Sequence, residues 1–136
     1  MLSLEVNEKE QAPLGQRIRA VGMCFYKKGD LKKGNNYQLR RNRDNPKDTN
    51  CFEVRSRHIT MATINMNFSR LLAPFVGENI IWELTCLVVE DAKWSRGDSG
   101  RPARAHKVHV VFNVNERDAE RVEKAFSDFE VRRSEA

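Results

Sequence analysis

The sequence predicts a mainly β domain with two helices, in which about six antiparallel strands form a small, strongly curved sheet or barrel. In several segments apolar residues alternate with polar ones, which is the period of a strand with one buried face. Turn-prone clusters of glycine, asparagine and proline divide these segments, and no internal repeat is present. Two other segments, residues 67–77 and 115–129, carry helix signals instead.

The first two strands flank a basic loop. In Arg17–Tyr26, Ile18 and Ala20 alternate with arginines, which indicates a strand with one apolar face. The strand ends at the lysine-rich, turn-prone stretch KKGDLKKG, residues 27–34. A second, shorter strand is predicted at Asn36–Arg41.

A tight corner, RNRDNPKDTN at residues 41–50, precedes the next pair of strands. Asn45 stands before Pro46, and because proline disfavours a helical conformation at the preceding residue, the chain is expected to turn here. The segments CFEVRSR and HITMATI, residues 51–57 and 58–64, then predict two strands in hairpin order.

The next segment predicts a short helix followed by a long strand. Asn67 is expected to act as the N-cap, Gly77 to end the helix, and Pro74 to limit its length. Asn79–Trp94, rich in β-branched residues, predicts one long strand. The polar stretch at residues 95–105 predicts a mobile loop.

The chain closes with a strand and a helix. Residues 107–114 return to strict alternation, and Asn115 is expected to cap the helix that follows. The apolar positions of this helix recur every three or four residues, which indicates one buried face. They are Ala119, Val122, Phe126 and Phe129.

The length of 136 residues favours one domain, with residues 1–15 as a flexible lead, 16–130 as the folded domain and 131–136 as a flexible tail. Hydrophobic residues make up 40% of the chain and charged residues 32%, which excludes a disordered composition. The acidic N-terminus does not resemble a signal peptide, and no apolar run is long enough to cross a bilayer. We expect an intracellular protein, nuclear if the source is eukaryotic, without a membrane partner.

Catalytic and metal chemistry is not expected. Cys24, Cys51 and Cys86 are odd in number and lie in predicted strands, so they are expected to be reduced core residues. His106 and His109 are three apart on a strand and face opposite ways, so no zinc site and no cofactor are predicted. No phosphate-binding Walker loop is present, so a motor would have to lie on another polypeptide or in a missing portion of a longer one.

The net charge of +5 suits a polyanionic partner, and its distribution is uneven. From residue 17 to 57, basic residues outnumber acidic ones about three to one, whereas both ends of the chain are slightly acidic. Such a charge run is commonly a solvated face. The low number of acids beside it favours contact with nucleic acid instead.

Four segments together resemble the HIRAN domain in order and spacing: VGMCFYKKG, the NPKDTNCFEV corner, the helix FSRLLAPFVGEN and the closing HKVHVVFNVNERDAERVEKAF. The similarity spans roughly residues 16–129, and the N-P-x-D-x-N corner followed by an alternating strand is its most specific part. The resemblance implies a compact barrel related to OB and SH3-like folds. It also implies a non-enzymatic module that binds single-stranded DNA and captures a free 3′ end.

The resemblance implies that Phe25 and Tyr26 contact the terminal bases and that Asp48 accepts a hydrogen bond from the 3′ hydroxyl. Since Phe25 and Tyr26 are adjacent on a strand, they point to opposite faces, and one is expected to pack into the core; Tyr26 is the better surface candidate. Backbone phosphates would meet nearby basic side chains. The predicted nucleic-acid-binding residues are Phe25, Tyr26, Lys27, Arg41, Arg43, Lys47 and Asp48.

Departures from the family pattern keep alternatives open. Cys24 stands where an arginine is expected, Lys47 where an aromatic is expected, and residues 62–66 lack the family's lysines. These changes motivate a second hypothesis, a protein-interaction domain that keeps the barrel without the 3′-end pocket, in which Asp48 only stabilises a turn. RNA is an alternative partner to DNA. We also expect a monomer that is linked to a helicase or nuclease in DNA repair or replication-fork processing.

Overall fold

The computed structural model of the protein describes residues 15–46 and 48–133. Its strands are β1 (Gly15–Tyr26), β2 (Asn36–Arg41), β3 (Phe52–Ser56), β4 (Ile59–Ile64), β5 (Ile81–Val88), β6 (Lys93–Arg96), β7 (Pro102–Asn115) and β8 (Val131–Arg133). Six of them close an antiparallel barrel in the order β1, β4, β3, β2, β5, β7 and back to β1, with β6 added to β7 and β8 added to β1. The predicted mainly β barrel of six antiparallel strands with two helices is confirmed.

The β1–β7 ladder closes the barrel and is its longest pairing. It runs in continuous register from Gly15 opposite Asn115 to Phe25 opposite Ala105. On both strands the even-numbered residues point inward, so Ile18 and Cys24 from β1 meet a row of valines from β7. Alternation of this kind buries one face of each strand in the core and leaves the other face for a site.

Helix α1 (Met66–Gly77) begins after Asn65, whose side chain accepts a hydrogen bond from the Phe68 N–H at 3.4 Å. The predicted cap, Asn67, instead lies exposed inside the first turn, because the chain leaves β4 directly into the helix. The helix ends at Gly77 as predicted, and Pro74 lies within its last turn.

The closing helical segment consists of three short pieces: a 3₁₀ turn at Glu116–Asp118, helix α2 (Ala119–Ala125) and a second 3₁₀ turn at Ser127–Phe129. Asn115, the predicted cap, makes no side-chain capping bond and belongs to the end of β7. The three or four residue spacing of the apolar side chains nevertheless predicted the buried face correctly, since Val122 and Phe126 are fully buried.

The aromatic centre of the core is Phe126, which joins both helices to the barrel. Its ring centroid lies 5.1 Å from that of Phe68 in α1 and 6.0 Å from that of Phe112 in β7. The rings of Phe75 and Phe129 lie at 6.3 Å. Tilted and edge-on contacts at these separations are favourable arrangements for aromatic pairs.

The segment predicted as a strand and a mobile loop is organised differently. The predicted long strand Asn79–Trp94 is divided into β5 and β6, and β6 folds back on β7 as a hairpin with Trp94 opposite Arg104. Residues 95–105 are therefore part of an ordered hairpin. Two contacts fix it: Gly97 donates to the Arg101 carbonyl at 2.8 Å, and Arg104 forms a two-point ion pair with Asp30.

Both ends of the predicted domain shift slightly. Val131–Arg133 pairs with Ile18–Ala20 of β1 as strand β8, so the first half of the predicted tail is part of the sheet. Gly15, placed in the predicted lead, is the first residue of β1. The remainder of both segments, residues 1–14 and 134–136, lies outside the described residues.

The three cysteines are buried and unpaired, as predicted. A hydrogen bond between the Cys24 and Cys86 thiols, together with burial, raises the pKa of Cys86, and burial likewise raises the pKa of Cys51. These thiols therefore behave as core side chains. No helix in the described part of the chain is long and apolar enough to cross a membrane.

Replacing Phe126 by alanine is expected to destabilise the fold by about 3–5 kcal/mol, because the cavity would open where α1, α2 and β7 meet. Urea denaturation followed by circular dichroism would measure it. Glu120→Ala, at an exposed position on the same helix, is the matched control and should change stability by less than about 0.5 kcal/mol. Equal effects of the two substitutions would contradict the assigned role of Phe126.

Candidate nucleic-acid interface

A groove of about 480 Å³ lies on the outer face of the barrel, beside the β1–β7 ladder. Its floor consists of outward-facing residues of β1 and β7, and its walls come from the start of α1, the β6–β7 hairpin and the second 3₁₀ turn. The lining residues are Val21, Gly22, Met23, Phe25, Asn65, Glu90, Lys93, Arg96, Asp98, Ala105, Lys107, Asp128, Phe129 and Glu130.

Phe25 is the candidate aromatic that lies in this groove. It pairs with Ala105 of β7 on one side and with Thr63 of β4 on the other, so three strands fix its position. Its neighbour Cys24 is fully buried, and by alternation the Phe25 ring faces outward, where it is half-buried. A half-buried ring on a rigid floor can stack on a flat ligand without a large loss of side-chain entropy.

Tyr26 points to the opposite face and does not line the groove. Its side chain is 48% exposed, and its hydroxyl lies 3.4 Å from the Lys28 carbonyl. The expectation that one aromatic of the pair packs into the core is wrong. Tyr26 belongs to the inward-facing row of β1. It is the last residue of the strand, so its side chain lies at the end of the barrel and is exposed to solvent.

The corner is held by hydrogen bonds around Asp48. Its backbone N–H donates to the Asn45 side chain at 3.3 Å, and its carboxylate Oδ1 accepts from the Asn50 N–H at 2.9 Å. Its carbonyl accepts from the Cys51 N–H at 3.1 Å. Asp48 therefore stabilises the turn, which is the role that the second hypothesis assigns to it. Lys47, the next candidate, lies outside the described residues.

The basic candidate residues near the corner differ in whether their side chains are held by hydrogen bonds. Arg41 donates through Nε to the Thr49 carbonyl at 3.3 Å and through its terminal nitrogen to Asn50 at 2.9 Å, so its guanidinium braces the turn. Burial and the nearby charge of Arg43 lower the pKa of Arg41. Arg43 is exposed. Lys27 is also exposed, and its backbone N–H donates to Met61 at 3.0 Å.

The charge of the groove is mixed. Its lining includes Lys93, Arg96 and Lys107, together with four carboxylates. One of these, Asp98 in the hairpin, accepts the Met66 N–H at the start of α1 at 2.9 Å. Burial raises the pKa of Asp98, while this hydrogen bond lowers it and the charge of Asp48 raises it.

The basic β1–β2 loop is anchored by His106, which is 2% exposed. Its Nε2 accepts the Leu31 N–H at 3.0 Å, and its Nδ1 lies 2.9 Å from the Glu90 carbonyl, to which it must donate. These two bonds require the neutral ring with its proton on Nδ1. His109 faces the outer surface, where burial and the charges of Arg19 and Lys107 lower its pKa.

Neither histidine belongs to a metal site: within the ranges that the structure describes, no three His, Cys, Asp or Glu side chains are grouped to hold an ion. The carboxylate of Glu53, a conceivable ligand, is engaged by Asn42, Thr60 and Arg55.

Comparison with known proteins agrees with this architecture. No protein-family model matches the sequence, and no curated protein matches it significantly. The structure is similar to the crystal structure of the HIRAN domain of human HLTF, with a TM-score of 0.62 and 16% sequence identity, over 84% of this chain and 92% of that domain. The chain has a HIRAN-like fold.

The HIRAN-like barrel brings together some of the predicted site residues and separates others. Arg41, Arg43 and Asp48 share the corner, Phe25 lies on the groove floor, and Tyr26 is on the other face. The sequence analysis missed the groove walls, including Asn65, Asp98 and Phe129. The alternation of β1 and β7 predicts which residues face outward. It does not predict which distant segments cover them.

Two carboxylates, Asp30 in the β1–β2 loop and Asp98 in the β6–β7 hairpin, are expected to titrate in a fixed order. The hydrogen-bonded ion pair with Arg104 lowers the pKa of Asp30 below its ordinary value of 3.8, whereas burial raises the pKa of Asp98 above it. Asp30 therefore contributes stability that is lost as the pH falls through its folded pKa. Asp98 contributes stability that is present below 3.8 and lost as the pH rises through its folded pKa.

Carboxyl carbon chemical shifts, followed by NMR over an acid titration, would measure both midpoints. The Arg104→Gln variant is the control and should move the Asp30 midpoint upward while leaving that of Asp98 in place. A lower midpoint for Asp98 than for Asp30 in the unmodified protein would contradict the assigned contacts.

Replacing His106 by alanine would leave the buried Leu31 N–H without its acceptor, at a cost of about 1–3 kcal/mol in addition to the lost packing. Hydrogen exchange at the Leu31 amide should accelerate as the β1–β2 loop loosens. His58→Ala, at an exposed position, is the matched control and should leave this amide unchanged. Unchanged protection in the His106 variant would show that the loop is held by other contacts.

Proposed function

We propose that the protein is a non-enzymatic module that binds single-stranded DNA and captures a free 3′ end. The observation that carries this proposal is the placement of Phe25 on the floor of the groove in a HIRAN-like barrel. An aromatic ring accepts any base by stacking, at about 1–3 kcal/mol per base. The groove therefore suits a ligand that is read by its end and its backbone rather than by its sequence.

The carboxylate of Asp48 favours a strand end over an internal segment. A carboxylate repels phosphate, but it is a strong acceptor for a terminal hydroxyl, which an internal linkage lacks. Within the part of the chain that the structure describes, the Asp48 carboxylate accepts a hydrogen bond from the Asn50 N–H through Oδ1. Its second oxygen is the proposed acceptor for the 3′ hydroxyl.

Basic side chains would hold the backbone on either side. Lys93, Arg96 and Lys107 line the groove, and Lys27 and Arg43 are exposed near the corner. Lys47, also proposed for phosphate contact, belongs to the same corner of the sequence. A module of this kind would act in DNA repair or replication-fork processing, as a monomer linked to a helicase or nuclease that supplies the chemistry.

The binding test uses a short labelled strand with a 3′ hydroxyl beside the same strand with a 3′ phosphate, measured by fluorescence anisotropy at two salt concentrations. We expect the hydroxyl form to bind more tightly, and both to weaken with salt. Phe25→Ala should cost about 1–3 kcal/mol of binding free energy, the value of one stacked base. An RNA strand of the same sequence would test the preference for deoxyribose.

Asp48→Asn is the sharpest variant, because asparagine can still accept the Asn50 N–H and keep the turn. It should lower the ratio of the affinities for the 3′-hydroxyl and 3′-phosphate strands by about tenfold or more. Asp44→Asn, an exposed carboxylate at the same corner, is the matched control. Equal binding to both strand ends by the unmodified protein would refute end capture.

The mixed charge of the groove favours a second candidate, a protein-interaction domain. Four carboxylates line the groove together with Lys93, Arg96 and Lys107, and Lys93 forms an ion pair with Glu90 at 3.5 Å. Such a mixed lining suits a polypeptide with both charges. On this hypothesis strand binding is weak and ignores the end, and Asp48→Asn leaves partner binding unchanged.

A further inference from the structure

A second concavity, of about 390 Å³, lies at the junction of β2, the corner and β3. We call it the arginine pocket. Four arginines and two carboxylates are among its lining residues, which are Arg40, Arg41, Asn42, Arg43, Asp44, Glu53 and Arg55. It shares no residue with the groove that contains Phe25.

The carboxylate at the base of the arginine pocket is already neutralised. Glu53 is 7% exposed, and it accepts hydrogen bonds from Asn42 at 2.8 Å, Thr60 at 2.9 Å and Arg55 at 3.2 Å. Its negative charge is therefore directed into internal contacts and away from a ligand. The same network fixes Arg55, whose guanidinium also donates to the His58 carbonyl at 3.0 Å.

The remaining arginines divide into a brace and two free donors. Arg41 is fixed against Thr49 and Asn50. Arg40 and Arg43 are exposed, and no hydrogen bond or ion pair to the described residues engages either guanidinium. A pocket that combines the fixed Arg41 with the two exposed arginines matches the planar, bidentate chemistry by which arginine holds phosphate.

The arginine pocket lies on the same outer face as the groove. One cross-strand row runs from Phe25 in β1 to Thr63 in β4, Glu53 in β3 and Arg40 in β2. Three strand spacings separate its ends, or about 14 Å along the sheet. A single strand whose last base lies on Phe25 can follow this row and bring a phosphate of its own backbone to the pocket.

We propose that the arginine pocket binds one internal phosphate of the single strand whose 3′-terminal base stacks on Phe25. The inference rests on the proposed function, since it places the same strand across the barrel. Arg40 and Arg43 bind the phosphate oxygens, while Arg41 supplies fixed positive charge beside them. The pocket thereby sets the direction in which the strand leaves the groove.

The test is a neutral-linkage scan. A set of short strands with a 3′ hydroxyl, each carrying one uncharged methylphosphonate at a different linkage, is bound to the unmodified protein. If the pocket holds a defined phosphate, one linkage a few nucleotides from the 3′ end should cost about five- to tenfold in affinity. The other linkages should cost less, because they meet only the general field of the protein.

The scan is repeated with the double variant Arg40→Gln and Arg43→Gln. This variant should bind the unmodified strand about tenfold more weakly, and the sensitive linkage should no longer stand out. Arg117→Gln removes an exposed arginine on the closing helical segment and is the matched control. The preference for the 3′ hydroxyl should survive in both variants.

The outcomes separate the two proposals. If the unmodified protein prefers the 3′ hydroxyl but every linkage costs the same, or the double variant behaves as Arg117→Gln does, the arginine pocket is overturned and end capture stands. If the unmodified protein binds no strand, both proposals fall together. A sensitive linkage that persists in the double variant would assign the internal phosphate to other residues.

Discussion

The β1–β7 ladder is the constraint on which the rest of the molecule depends. It closes the barrel, and its register decides which side chains enter the core and which face outward. Cys24 points into the core and Phe25 points to the groove because adjacent residues alternate on β1. Along its other edge, the same strand pairs with β4 and β8. A slip of one residue in this ladder would exchange the core and the groove floor.

The corner combines structural and functional demands on the same side chains. Asp48 accepts a backbone N–H that holds the turn, and Arg41 braces the loop opposite it. These hydrogen bonds of Asp48 and Arg41 explain why the corner has a fixed conformation without a ligand. It also means that loss of binding in a corner variant is informative only if the turn survives, so a substitution that keeps the acceptor is more decisive than alanine.

Local chemistry made much of the fold predictable. The bounds of β2 at Asn36–Arg41 match the predicted strand, and the end of α1 at Gly77 followed from a glycine stop. The hairpin at residues 93–104 did not, because its polar sequence resembles a loop and its order comes from pairing with β7 and from the distant Asp30. The candidate site was predictable only in part. Phe25 and Asp48 carried signals, whereas the groove walls come together through tertiary packing alone.

The distribution of charge favours a ligand that extends beyond one groove. The groove contains carboxylates as well as basic residues, so it is a poor site for a polyanion by itself. The excess positive charge of residues 17–57 instead reaches the surface around β2 and the corner, where Arg40 and Arg43 are exposed. An end-binding groove of mixed charge and a separate arginine pocket divide the two tasks: one recognises a terminus, where fewer phosphates are present, and the other holds the backbone that follows.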